Sequence, residues 1–180
     1  MTEPANPYLH PNRIKAALRT LNLRPTRGMG QNFLIDDQAL ESILHAADLS
    51  SADHVIEVGP GLGVLTWELV RRAGMVTSIE LDKRLAARLH DEFAGTGKLH
   101  IIQSDILELD LDAALAQQPA YTSYKVVANL PYAITSPLLR YFLEAAHKPM
   151  LMVVLVQLEV AQRISAKPGD MSVLAHAVQL

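Results

Sequence analysis

His54-Val55-Ile56-Glu57-Val58-Gly59-Pro60-Gly61-Leu62-Gly63-Val64-Leu65-Thr66 is the stretch from which the fold of this 180-residue chain is read. Val55, Ile56 and Val58 have strand propensity, and so nearly continuous an apolar run suits a parallel strand covered on both faces. Gly59 and Gly61 let the backbone turn tightly and lie close to a ligand, because no Cβ intervenes. From Leu62 the apolar positions Leu62, Leu65, Leu69 and Val70 take helical spacing, so the turn delivers a helix N-terminus to whatever rests on it. Strand, glycine turn and helix together predict a cradle for a nucleotide-type cofactor.

About twenty residues beyond the turn, Met75-Val76-Thr77-Ser78-Ile79-Glu80 reads as a second strand ending in an acid. A doubly wound fold places there the carboxylate that takes ribose hydroxyls, which makes Glu80 a binding candidate. Glu57 stands two residues before Gly59. The resulting Glu-x-Gly-x-Gly-x-Gly resembles the first motif of S-adenosylmethionine-dependent methyltransferases more than the Gly-x-Gly-x-x-Gly of dinucleotide enzymes. Counted from Gly59, the third dinucleotide position holds Val64, which argues against a nicotinamide cofactor.

Outward from this centre the chain alternates helix and strand. Residues 1–10 are expected to be disordered or loosely docked, and 12–21 to form a short amphipathic helix. Residues 27–36 form a glycine- and amide-bearing loop, either bent around a ligand or simply leading into a helix over 37–48 capped at Asp36 or Asp37. A helix over 62–72 precedes the second strand. Asp82 is expected to cap a helix over 83–93, and 99–103 form a third strand closing in Ser104-Asp105. Asp105 lies on the edge where open parallel sheets bind ligands, and suits either an adenine amino group or a helix cap. A short helix or turn over 109–118, strands over 124–128 and 150–156, and a helix over 157–164 follow. Between those strands Ser136 and Pro137 signal a helix start, with the helix running to 146. The alternation predicts an α/β, doubly wound, mostly parallel sheet.

Length and composition allow one domain that buries roughly 70% of its unfolded surface. The chain is 49% hydrophobic and 19% charged, with a net charge of −3. No apolar run is long enough to cross a bilayer and no secretory signal opens the sequence, so a cytoplasmic protein is expected. The absence of cysteine excludes disulfides, thiolate metal sites and cysteine nucleophiles. The seven histidines lack metal-ligand spacing, and no metal is expected. Between Pro4 and Ile35 stand five basic residues (Arg13, Lys15, Arg19, Arg24, Arg27) and no acid. Such an arm either steers polyanions or is a solvated helix face.

The chemistry concentrates in Asn129-Leu130-Pro131-Tyr132, at the end of the fourth strand. An exocyclic amine on a planar base is a poor nucleophile because its lone pair is delocalised into the ring. Acceptors aimed at its hydrogens pyramidalise it and free the lone pair for an electrophilic methyl group. The Asn129 side-chain oxygen and the Leu130 carbonyl suit that task. Pro131 stiffens the turn and keeps Leu130 extended. Tyr132 can stack on the base, a contact worth roughly 1–3 kcal/mol.

Five segments occur in order: Gly30-Gln31-Asn32-Phe33-Leu34, Glu57-Val58-Gly59-Pro60-Gly61-Leu62-Gly63, Glu80-Leu81-Asp82, Asn129-Leu130-Pro131-Tyr132 and Val156-Gln157-Leu158-Glu159-Val160-Ala161-Gln162-Arg163. Together they resemble the ribosomal RNA adenine dimethyltransferase family, in particular its bacterial small-subunit (16S) branch. The resemblance implies a Rossmann-like class I methyltransferase fold and S-adenosyl-L-methionine as methyl donor. It implies that Asn32 and Leu34 cover the cofactor, Gly59 and Gly61 approach its methionine part, Glu80 holds the ribose and Asp105 the adenine. Asn129 would sit between cofactor and target amine. Two adjacent adenosines of small-subunit ribosomal RNA, within a pre-ribosomal particle, would each be methylated twice.

Residues 1–35 then form a basic arm and cofactor-covering loop, and 36–180 an incomplete donor-binding domain truncated after the fifth strand. On this resemblance the family's later strands, second base-stacking aromatic and C-terminal helical domain are expected to lie outside the chain. A monomer is expected unless the bare sheet edge pairs, with donor binding kept and RNA methylation weakened or lost. Three other functions compete: a large-subunit RNA adenine methyltransferase, a non-catalytic pre-ribosome assembly factor, and a nicotinamide oxidoreductase.

Overall fold

The computed structural model describes residues 6–22, 36–116, 123–130, 132–167, 170–172, 175, 178 and 179. Five strands, β1 (His54–Val58), β2 (Met75–Glu80), β3 (Leu99–Gln103), β4 (Lys125–Asn129) and β5 (Leu151–Leu155), form one sheet in the order β3-β2-β1-β4-β5. Every neighbouring pair is parallel. The helices are α1 (Pro11–Thr20), α2 (Asp37–Ala47), α3 (Val64–Arg72), α4 (Lys83–Phe93), α5 (Leu111–Leu115), α6 (Thr135–Leu143) and α7 (Leu158–Ile164).

Both faces of the sheet are covered, as the apolar run in β1 requires. Val55, Val76 and Val127 pack with α2, α3 and α4 through Leu40, Leu44, Leu69, Leu89 and Phe93. Ile56, Val58, Ile79, Val126 and Ala128 pack with α5 and α6 through Leu111, Leu115, Leu138 and Phe142. From β1 the chain winds outward through β2 to β3, and it returns to start β4 on the other side of β1. That reversal lies between β1 and β4, where open α/β sheets bind their ligands. The β1–β4 ladder pairs Val55 with Lys125 and Ile56 with Val126, short of the C-terminal ends of both strands.

Several boundaries differ from the sequence expectation for local reasons. The helix expected from Leu62 begins at Val64, because Gly63 takes the left-handed region at φ 86° and extends the turn. The helix expected to start at Ser136-Pro137 begins at Thr135, since a 3₁₀ turn over Tyr132–Ile134 runs straight into it. Pro137 is tolerated there because amides of a first helical turn have no intrahelical acceptor. The same helix ends at Leu143 rather than 146, and β4 and β5 are each displaced or shortened by a residue or two. Asp36 and Asp82 cap α2 and α4 as expected, each accepting from two backbone N–H groups.

The larger correction concerns the N-terminus, expected to be loose over 1–10. Residues 6–10 are docked. Asn6 Nδ2 donates to Val64 O at 2.9 Å and to Glu68 Oε1 at 3.1 Å. Tyr8 is buried against Trp67 and Phe93, with the Arg88 guanidinium 5.6 Å from its ring centroid. Behind it, Ile14 and Leu18 of α1 pack on Leu62 and Leu85, leaving Arg13, Lys15 and Arg19 exposed. The polar, proline-bearing sequence hides this, because the burial comes entirely from distant partners.

Gly74 marks a tight crossing. Its N–H donates to Asp53 O at 3.0 Å, and a Cβ there would lie 2.3 Å from the carbonyl oxygen of Ser51. The Ser51 loop cannot yield easily, since Asp53 is tied to Ser50 and to Lys125. Gly74→Ala is expected to destabilise the fold by about 3 kcal/mol. Gly95→Ala, where a Cβ meets nothing within 4 Å, serves as control. Urea unfolding of both checks this, and equal midpoints would contradict it.

Candidate active site

The glycine turn is fixed by its own backbone geometry and hydrogen bonds. Gly59, Gly61 and Gly63 all have positive φ, at 66°, 59° and 86°. Gly59 N–H donates to Ile79 O at 2.9 Å, carrying the β1–β2 ladder into the turn, and Gly63 N–H donates to Pro60 O at 3.0 Å. Arg88 Nη1 of α4 donates to Leu62 O at 3.0 Å. The turn is thus fastened to β2 and α4. The N-cap of α3 is Gly63, which has no side chain to cap the helix. Its first-turn amides therefore point their donor capacity at the end of the turn, where anionic groups are favoured.

Glu80 closes the second side. Its Oε2 accepts from Gly61 N–H at 3.0 Å and its Oε1 from Asp82 N–H at 2.9 Å. The carboxylate is buried, and burial pushes its pKa up while the two N–H donors work against that shift. Each carboxylate oxygen has further lone pairs, so a fixed acceptor for a diol remains. Beside it Leu81 is 65% exposed, an apolar surface on the rim that sequence reasoning did not single out. The available signal was an apolar residue directly after a strand-ending acid.

Glu57, marked by the sequence only as the first residue of the glycine motif, has surroundings that the sequence did not reveal. It is fully buried, and its Oε2 accepts from Thr66 Oγ1 of α3 at 2.8 Å and from Ser78 Oγ of β2 at 2.7 Å. Its Oε1 is buried with no hydrogen-bond partner. Burial, reinforced by the nearby Glu80 charge and opposed by the two hydroxyls, pushes its pKa up to about 7.

Across the switch point, Asn129 ends β4 and is half-buried. Leu130 is buried, and its N–H donates to Leu155 O at 3.2 Å, which holds the turn after β4 against β5. Asp105 Oδ1 accepts from Leu107 N–H at 2.9 Å, so the residue serves as a turn cap at the end of β3. Pro131, Asn32 and Leu34 lie outside the described residues, as does the side chain of Tyr132. Gly59, Gly61, Glu80 and Asn129 thus lie at the C-terminal ends of β1, β2 and β4, on the edge where open parallel sheets form their binding crevice, with Asp105 one strand farther out. No group of three or more His, Cys, Asp or Glu suited to a metal occurs among the described residues. No described helix is long and apolar enough to cross a membrane.

The family described as ribosomal RNA adenine dimethylase matches residues 22–179. This chain belongs to that family. Relatives named ribosomal RNA small subunit methyltransferase A share 50% identity in Dehalococcoides mccartyi, over 92% of this chain and 56% of that protein. In Moorella thermoacetica the figures are 40%, 94% and 61%. The chain therefore spans little more than half the length of these relatives. Among solved structures, a dimethyladenosine transferase from Plasmodium falciparum superposes with TM-score 0.66 at 26% identity, over 79% of this chain and 50% of that one. The 23S rRNA methyltransferase ErmE does so with TM-score 0.61 at 34% identity, over 73% of this chain and 50% of that one. The sheet and its helices are those of the adenine dimethylase family and of methyltransferases more widely.

Proposed function

We propose that this chain carries the donor-binding and catalytic part of an enzyme that uses S-adenosylmethionine to dimethylate the exocyclic amines of two adjacent adenosines in small-subunit ribosomal RNA. The observation that carries this is the placement of the glycine turn, the Glu80 carboxylate and Asn129 at the strand ends around the switch point. The crevice fits the donor's parts: a twice-anchored carboxylate for the ribose, an uncapped helix N-terminus for the methionine carboxylate and the exposed Leu81 for the adenine face. Asp105, although it caps a turn through Oδ1, offers its other oxygen to the adenine amino group. Asn32 and Leu34 are proposed to cover the donor, and residues 1–35 to act as the basic arm and lid.

The donor supplies an electrophilic methyl group on a sulfonium. The chain's own residues supply position. Asn129 accepts from the target amine, with the Leu130 carbonyl as second acceptor, and turns its lone pair toward the methyl group. Pro131 is proposed to restrict the Leu130 backbone, and Tyr132 to stack on the base. No base is needed beforehand, because the amine loses its proton during or after transfer. Orientation of this kind contributes up to roughly 7–11 kcal/mol. The helix-borne cations Arg13, Lys15 and Arg19 are exposed and suited to RNA phosphates.

The likeness to ErmE keeps a large-subunit substrate as the second reading. Incubation of the chain with tritiated donor and unmethylated ribosomal particles separates the two. Weak label, carried as methylated adenosine in small-subunit RNA, is expected, because the chain spans little more than half the length of its relatives. Label in large-subunit RNA, or donor binding that fails while NAD binds, would contradict the proposal.

A further inference from the structure

We propose that Glu57 is the residue by which the cradle reads the charge of its ligand: it holds a proton while the cradle is empty and gives that proton to solvent when the cationic donor binds. This rests on the donor-binding reading above. Glu57 stands two residues before Gly59, and through Thr66 it joins β1 to the first turn of α3, so it underlies the glycine turn from both sides. Both hydroxyl partners converge on Oε2, while Oε1 is fully buried with none. A buried carboxylate with one bare oxygen costs more when ionised than when protonated.

Among the described residues no cation relieves it. From β2 the facing groups are Ser78 and the acid Glu80, whose field opposes ionisation. From α3 they are Thr66 and, farther along, Glu68, which is occupied by Asn6 and Arg72; Arg71 of that helix lies over Trp67. From β4, Val127 shares this side of the sheet, and Lys125 is spent on Ala47 O, Asp48 O and Asp53. The titratable residues of α2, Asp37, Glu41 and His45, lie on its exposed face. A sulfonium ligand brings the missing positive charge and favours the ionised form. The demethylated product is a neutral thioether and does so less, so the same residue favours donor over product.

The sign follows from linkage. A proton released on binding makes donor affinity rise with pH until the empty cradle is already deprotonated. With the carboxyl titrating about neutrality in the empty protein, donor affinity is expected to be about tenfold weaker at pH 6 than at pH 8, with about 0.9 proton released per donor at pH 6. The test is titration calorimetry of S-adenosylmethionine and S-adenosylhomocysteine into the protein at both pH values, in buffers of different ionisation enthalpy. Glu57→Gln, which mimics the protonated state, is expected to release no proton, to bind donor independently of pH and to lose preference for donor over product. Ser78→Ala removes a hydroxyl that favours ionisation, and is expected to move the pH of half-maximal release upward. Wild-type binding without proton release, or unchanged release in Glu57→Gln, would overturn the inference while leaving the donor reading intact. Wild-type protein that binds neither ligand would overturn both.

Discussion

Asn129→Ala is expected to slow methyl transfer roughly 10²–10³-fold while leaving donor affinity within about threefold, the magnitude seen when one preorganised polar group at a reacting centre is removed. Asn129 is the last residue of β4, held by the sheet on one side and by the Leu130–Leu155 hydrogen bond on the other. Its backbone is therefore fixed at the strand end from which the side chain is proposed to meet the target amine. Alanine at this position keeps the strand and deletes the acceptor, so the loss should fall on the rate and not on donor binding. Single-turnover transfer from labelled donor, beside a calorimetric affinity for the same variant, separates the two. A transfer rate within tenfold of wild type would remove Asn129 from the chemistry.

The second large effect is expected at Glu80. Its carboxylate anchors Gly61 N–H and Asp82 N–H and is proposed to accept the donor's ribose hydroxyls. Two charge-assisted hydrogen bonds to a diol are worth about 3 kcal/mol together, or about a hundredfold in affinity. Glu80→Ala is expected to weaken donor binding by at least that factor, because it also frees the Gly61 amide that shapes the turn. Glu80→Gln keeps one acceptor oxygen and the side-chain volume, and a loss of about tenfold is expected. Calorimetry with both variants checks the order. Equal, small losses would show that the ribose is held elsewhere.

The parts of this site that sequence disclosed are those whose chemistry is local. Gly59 and Gly61 declare a turn because only that turn asks for them, and Glu80 declares itself by ending a strand at the right distance. Glu57 looked like one letter of a motif. Its meaning depends on Thr66 and Ser78, nine and twenty-one residues away, which only the packing of α3 and β2 brings to it. Tyr8 was hidden for the same reason, since nothing in a polar N-terminal segment announces that Trp67 and Phe93 will enclose its ring. The start of α3 was misplaced by two residues because Leu62 fits the helical period of the apolar face, yet Gly63 turns the backbone left-handed. Asp105 admitted two roles from sequence; its Oδ1 caps a turn at Leu107, and the adenine role is the one proposed for its other oxygen.

The central claim is that the donor lies across the ends of β1 and β2 with its reacting centre facing the end of β4. A crystal of the protein soaked with S-adenosylhomocysteine tests this most directly. The account expects the ribose hydroxyls on Glu80, the amino-acid part along the glycine turn and the thioether sulfur turned toward the Asn129 amide. Product bound on the other face of the sheet, or in the crevice with its sulfur turned away from Asn129, would contradict it.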